Sequence, residues 1–388
     1  MAATPVPEAS ATAGVSSALL PTAGASAEPE PIPAGRASPP ERYDDGVDVL
    51  HYDIELALPR GSGWMQGHAA LDLRLDRSVT AVDLDFSGLH IDEVTVDSGP
   101  VEWHHEDGLL SIPLGSPAEA GARHRIAVAY RGVPDDGLIL GETVHGDPSA
   151  FVDNWPNRTR FWLPSVDHPS DKATARFTVH APAEWDVVAN GRPVGPPVPT
   201  PPEVPGPDVN ERRTWIYETG VDRPTYTMVI GGADMVIDTV GLAACGDAPA
   251  SPRADGCVAV TTWLFPDSRA EGAASFRRAA DMVDVFTDMI GPFPYEKLAN
   301  VQSATRFGGM ENSSAIFYSQ QAIAAGRDME GTVSHEIAHQ WFGDSVTEAD
   351  WSELWLSEGF ATYFGAVYFE RVDGVESFRE RLASAAQA

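Results

Sequence analysis

Between Val49 and about Met235, apolar and polar residues alternate along the chain. Tyr52, Ile54, Leu56 and Leu58 interleave with His51, Asp53, Glu55 and Ala57. Leu71, Leu73 and Leu75 interleave with Asp72 and Arg74, and Ile126, Val128 and Tyr130 repeat the pattern. Successive side chains of a strand point to opposite faces, so period two predicts strands with one buried face. Turn chemistry separates the runs, as at Gly61-Ser62-Gly63 and Asn190-Gly191. The pattern predicts an all-β domain over residues 43–247.

The period then changes. After one more strand, Val258 to Phe265, apolar residues recur at steps of three and four: Phe276, Ala279, Val283, Phe286 and Ile290. That spacing predicts a helix stopped by Gly291-Pro292. A second helix is predicted from about Asp328 to Phe342, with Val333 and Ile337 on one face. A third is predicted from an N-cap at Ser357, through Ala361 to Phe369, ending before Asp373-Gly374. Residues 248–388 thus read as a mixed α and β domain.

Residues 1–42 hold no aromatic residue and are rich in Ala, Pro, Ser, Thr and Glu. Such a segment buries too little apolar surface to offset its ordering entropy, so it is expected to be a disordered tether. No run approaches the ~18 apolar residues of a membrane-spanning helix. The chain carries 57 acidic and 26 basic residues, a net charge of −31. A polyanion repels nucleic acid and anionic lipid and favours cationic ligands, so neither polymer is an expected partner. Cys245 and Cys257 bracket a loop-like segment. They either close a disulfide, which belongs to an oxidising compartment, or are two unrelated thiols. With the tether, the first alternative sets the expectation of an exported protein. Nothing in the sequence fixes an oligomeric state.

The candidate chemistry lies on the second predicted helix, in His335-Glu336-Ile337-Ala338-His339. Histidines four apart share one helix face and can reach a single zinc ion. Glu336 points slightly round the helix, as suits a base that deprotonates the attacking water rather than a ligand. A hydrolytic zinc needs a third protein ligand. A third histidine at metzincin spacing is excluded, because Phe342 and Ser345 occupy the glycine and histidine positions of that motif. Glu358, on the third helix, supplies the alternative. Upstream lies Gly308-Gly309-Met310-Glu311-Asn312. Its glycines let a substrate backbone approach, and a strand edge there can hydrogen-bond it. Glu311 is then a fixed carboxylate suited to sensing a free α-ammonium.

These motifs resemble the aminopeptidase N family of gluzincin metallopeptidases. The likeness extends through Val333 to Gly343, Trp351 to Tyr363, Gly291 to Leu298, and Asp167 to Thr174, and is traceable from about residue 45 onward. It implies a saddle-like β domain followed by part of a thermolysin-like α+β catalytic domain. It implies one zinc held by His335, His339 and Glu358, water activated by Glu336, and peptide substrates with a free N-terminal amine bound by Glu311. Gly308, Gly309, Met310 and Asn312 would line the substrate. The family's transition-state-stabilising tyrosine would fall past Ala388, so the chain is expected to be the front part of such an enzyme. No residue here is placed as the Gln or Glu that many relatives supply near Trp155-Pro156-Asn157, so the first specificity pocket is unassigned. Alternatives are a gluzincin endopeptidase and a noncatalytic scaffold that retains the zinc site. No GxSxG is present, and neither Lys172 nor Lys297 follows a glycine, so serine-hydrolase and P-loop chemistry find no support.

Overall fold

A computed structural model describes residues 46–207 and 211–386. The expected tether lies outside the described residues. The alternating runs form strands. Val47–Ala57 pairs in parallel with Lys172–Pro182 and antiparallel with Met65–Leu75. Among the described residues it sits near the middle of a ten-stranded sheet. Tyr52, Ile54 and Leu56 are fully buried, as are Leu71, Ile126, Val128 and Tyr130. Four- and three-stranded sheets complete this N-terminal, sheet-rich part.

A five-stranded sheet carries the second part, in the order Val236–Ala243, Val258–Leu264, Leu298–Ser303, Ala315–Ser319, Gly309–Met310. Its first member corrects the expected boundary at residue 247. Val236–Ala243 alternates like the preceding strands but pairs with Val258–Leu264. The passage between sheets therefore falls before Val236. Alternation reports a strand's faces and says nothing of its partner. Among the described residues, six helices follow or accompany this sheet: α1 (Arg269–Phe276), α2 (Ala279–Ile290), α3 (Gln320–Ala324), α4 (Glu330–His339), α5 (Trp355–Asp373) and α6 (Val375–Ala385).

Three helix expectations need adjusting. The first predicted helix is two, α1 and α2, interrupted at Arg277 and Arg278. Both guanidiniums turn to Glu330 of α4, at 3.6 and 2.8 Å. Phe276, Ala279, Val283 and Phe286 are nevertheless buried on one face. Helix α4 is shorter than predicted. Ser357 is not a cap: α5 begins at Trp355, behind a turn in which the Asp350 carboxylate accepts from Ser352 N at 2.7 Å.

The two parts are joined by buried polar contacts. Arg223, fully buried, pairs with Glu296 at 3.3 Å, donates to Ser313 Oγ at 3.0 Å and lies 5.0 Å from the centre of the Tyr295 ring. The chain's two lysines both cross the boundary. Lys297 Nζ donates to the carbonyls of Ala189 (2.6 Å) and Gly191 (2.5 Å). Lys172 Nζ donates to those of Asp344 (3.1 Å) and Ser345 (3.0 Å), just beyond the second histidine.

Candidate metal centre

Helix α4 presents His335 and His339 one turn apart, their Nε2 atoms 3.0 Å from each other. Helix α5 lies close against α4. Ser334 Oγ donates to Gly365 O at 3.1 Å, and a Cβ on Gly365 would sit 3.4 Å from His335 Cα. This approach delivers Glu358, whose Oε2 stands 3.3 Å from His335 Nε2 and 3.8 Å from His339 Nε2. At His339, Nδ1 donates to Phe342 O at 2.9 Å, which leaves Nε2 with a lone pair directed at the triad. Ser357 Oγ lies 3.3 Å from the same Nδ1. The serine expected to cap a helix therefore packs beside a histidine instead. Gly343, at φ 116°, makes room for this arrangement: a Cβ there would lie 2.5 Å from Ser357 Oγ and 2.9 Å from His339 Nδ1.

These three side chains fit a zinc ion. Ligand arms of about 2.0–2.1 Å place tetrahedral donors about 3.3–3.4 Å apart. The observed separations of 3.0, 3.3 and 3.8 Å bracket that edge. The donor set, two neutral imidazoles and one carboxylate, is of the right type. Glu358 is the open side, with 46% of its side chain exposed, whereas the His339 ring is enclosed.

Glu336 and Glu311 face each other beside the triad. Their carboxylates and His339 lie within 4.8 Å of one another. Both residues are buried. Burial pushes the Glu336 carboxyl well above the usual range, and the Glu311, Glu358 and Asp344 carboxylates push it further. Burial and the Glu358 charge likewise raise Glu311. Glu358 behaves oppositely: burial opposes its ionisation, but the His335 hydrogen bond and both imidazoles hold it down at about 2. Burial also lowers His339, keeping the ring neutral and able to ligate. Carboxylates crowded and raised in this way answer a missing positive charge, and a divalent cation in the triad would supply it.

The edge strand Gly309–Met310 runs over this group. The Gly309 Cα rests on the Glu336 side chain, so that a Cβ would come within 2.5 Å of both Cγ and Cδ. A Cβ on Gly308 would meet nothing within 4 Å. One glycine is thus required by the neighbour behind it, and the other leaves the front of the edge open. Asn312 is buried with both amide atoms lacking a hydrogen-bond partner among the described residues. Met310 is buried under the edge. Gln340, on the turn after α4, ties the pieces together: Nε2 donates to Glu311 O (2.8 Å) and to Asp344 (2.9 Å), and Oε1 accepts from Ser314 N (2.8 Å). Gln340 lies directly beside His339, inside the stretch that carries the family likeness.

The structure therefore brings His335, His339, Glu358, Glu336, Glu311 and Gly309 to one place. The β domain also supports the site, through residues to which spacing alone gave no role. Lys172 props the Asp344-Ser345 turn, and Tyr226 donates to Gly343 O at 3.1 Å. Trp155, where no Gln or Glu could be placed, packs edge-on to Phe307 and Trp351 at 5.6 and 6.2 Å.

Comparison with known proteins follows the same division. Residues 275–388 match the peptidase family M1 domain, and residues 48–226 match the peptidase M1 N-terminal domain. The chain is 27% identical over 332 residues to leucine aminopeptidase 2 of Candida glabrata, covering 81% of this chain and 46% of that one. It is 25% identical over 365 residues to aminopeptidase B of Rattus norvegicus, covering 83% and 51%. The chain thus spans about half the length of the curated relatives it matches. Among solved structures it resembles a mutant M1 zinc metallopeptidase of Deinococcus radiodurans bound to a Tyr-Ser-Ala substrate. The TM-score is 0.73 at 25% identity, over 86% of this chain and 72% of that one. The same enzyme without the mutation gives 0.68 at 27%, over 88% and 73%.

Proposed function

The chain belongs to the peptidase M1 family, the aminopeptidase N group of metallopeptidases, and from that membership we propose that it carries the zinc site of an aminopeptidase that removes the first residue of peptides. The observation that carries this reading is the convergence of His335, His339 and Glu358 beside two buried carboxylates, Glu336 and Glu311, under a glycine edge.

In this reading His335, His339 and Glu358 hold one zinc. When bound, zinc polarises a carbonyl and makes water a nucleophile near neutral pH. Glu336 takes the proton of the attacking water and returns it to the departing amine. Glu311 accepts hydrogen bonds from the substrate's α-ammonium, which limits cleavage to the first bond. Gly308 and Gly309 pair with the peptide backbone as an added strand, with Met310 and Asn312 behind them. Phe342 O holds the tautomer of His339.

The test is release of a chromophore from a leucyl amide with a free amine, compared with its N-acetylated analogue. A strong preference for the free amine is expected. Equal rates would remove the amine-sensing role of Glu311, and cleavage of blocked internal bonds would favour an endopeptidase. Export is part of the same proposal, supported by the bond between Cys245 and Cys257. Free thiols in protein taken from its native compartment would contradict it.

A further inference from the structure

Just ahead of Gly308, residues 305–307 are held by the β domain from several sides. Asp153, its side chain fully buried, accepts from Thr305 Oγ1 at 3.4 Å and pairs with Arg306 Nε at 3.6 Å and with Arg158 Nη2 at 3.2 Å. Asp136 accepts from Arg306 Nη2 at 2.5 Å and stands 3.9 Å from Arg158 Nη1. Two carboxylates and two guanidiniums therefore balance across the boundary between the two parts of the fold. The Phe307 ring meets Trp155 edge-on at 5.6 Å and lies 5.9 Å from the Arg158 guanidinium. The clamp is itself anchored: Asp153 N donates to Gly137 O at 2.8 Å, and Arg158 N to Asn154 O at 2.7 Å.

What this network holds adjoins the glycine edge directly. That edge has few restraints of its own. Gly309–Met310 is a two-residue strand, and Ser319 N donates to Gly308 O at 3.1 Å. So short a pairing fixes its own height weakly, and its position depends on the segments that flank it. With the Gly309 Cα already against the Glu336 side chain, the edge has no slack on its inner side.

We propose that Asp153 and Arg158 are positioning residues for the peptide-binding edge, holding residues 305–307 so that Gly308 and Gly309 meet the substrate backbone beyond its first residue. The proposal rests on the aminopeptidase reading, in which the peptide lies along that edge. It makes the β domain part of peptide recognition without a direct contact to the substrate.

Calorimetric binding tests it, on the full zinc-loaded chain with Glu336→Gln to prevent turnover. The ligands share a first residue: leucinamide and the amide of Leu-Gly-Gly. Arg158→Met and Asp153→Asn are expected to weaken the tripeptide about five- to tenfold and to leave leucinamide within about twofold, because only the longer ligand uses the edge. Arg158→Lys should recover part of the loss. Should the buried substitutions prevent folding, Arg306→Met removes the half-exposed side of the same clamp. Equal losses for both ligands, or none for either, overturn the proposal. If the parent binds the tripeptide and leucinamide but the variants bind them unchanged, the clamp alone fails. If the parent binds neither, the aminopeptidase reading fails with it.

Discussion

Gly309 and Glu336 touch: the glycine's Cα lies on the carboxylate side chain, and any Cβ would overlap its Cγ and Cδ. Gly309→Ala must therefore displace either the edge strand or the proposed base. Misplacing a reacting group by about 1 Å costs about 10²-fold in rate. Hydrolysis of a leucyl chromogenic amide should fall by about that factor, while zinc content stays that of the parent. A variant of unchanged activity would mean that the edge can shift freely.

Metal retention and catalysis should separate cleanly along helix α4. Zinc binding to the folded state raises the unfolding temperature. Added zinc should do so for the parent and for Glu336→Gln, but not for His339→Ala or Glu358→Ala. Glu336→Gln should bind zinc fully and hydrolyse nothing measurable. Zinc-dependent stabilisation that survives His339→Ala would move the metal elsewhere.

The role of Glu311 can be measured as a charge. A hydrogen bond to a charged group contributes about 1.5–3 kcal/mol, or about 10- to 150-fold. Glu311→Gln should lower kcat/KM for free-amine substrates within that span. It should also narrow their advantage over N-acetylated analogues. An unchanged ratio would detach amine recognition from this residue.

A stability effect arises in the β domain, at Asp171. One carboxylate oxygen accepts from Val49 N at 3.2 Å, and the other is buried without a hydrogen-bond partner among the described residues. Burial pushes this carboxyl up to about 8, and the neighbouring Asp48 and Asp76 add to the effect. In the unfolded chain it titrates near its ordinary value of about 4. Between those values the folded state holds a proton that the unfolded state has lost, so stability falls as pH rises through the window. Asp171→Asn should accordingly raise the unfolding temperature more near about pH 8 than near about pH 5. A pH-independent difference would show that the carboxyl ionises normally.

Local patterns carried much of this architecture into view. The spacing of His335 and His339 announced a pair of imidazoles on one face because helical geometry converts spacing into direction. The alternation around Tyr52 and Leu71 announced strands for the same reason. What stayed hidden depends on pairing across distance. Val236–Ala243 reads like any strand of the first domain, and only its hydrogen bonds place it in the second sheet. Ser357 carries the chemistry of a cap, yet its hydroxyl is used at His339. Asp153, Arg158 and Arg306 lie in no recognisable motif, and charged residues at such separations reveal nothing until the fold brings them together.

The two lysines and Arg223 tie the part that carries the histidine pair to the β domain by buried polar contacts. Removing the β domain would take from the Glu296 carboxylate both its Arg223 partner and the Gly220 N–H and open that buried surface to water. It would also release the Asp344-Ser345 turn from its ammonium prop. Heating should therefore melt both cores in a single transition. On this account the unit that could be transplanted to another scaffold is the fused pair rather than either half.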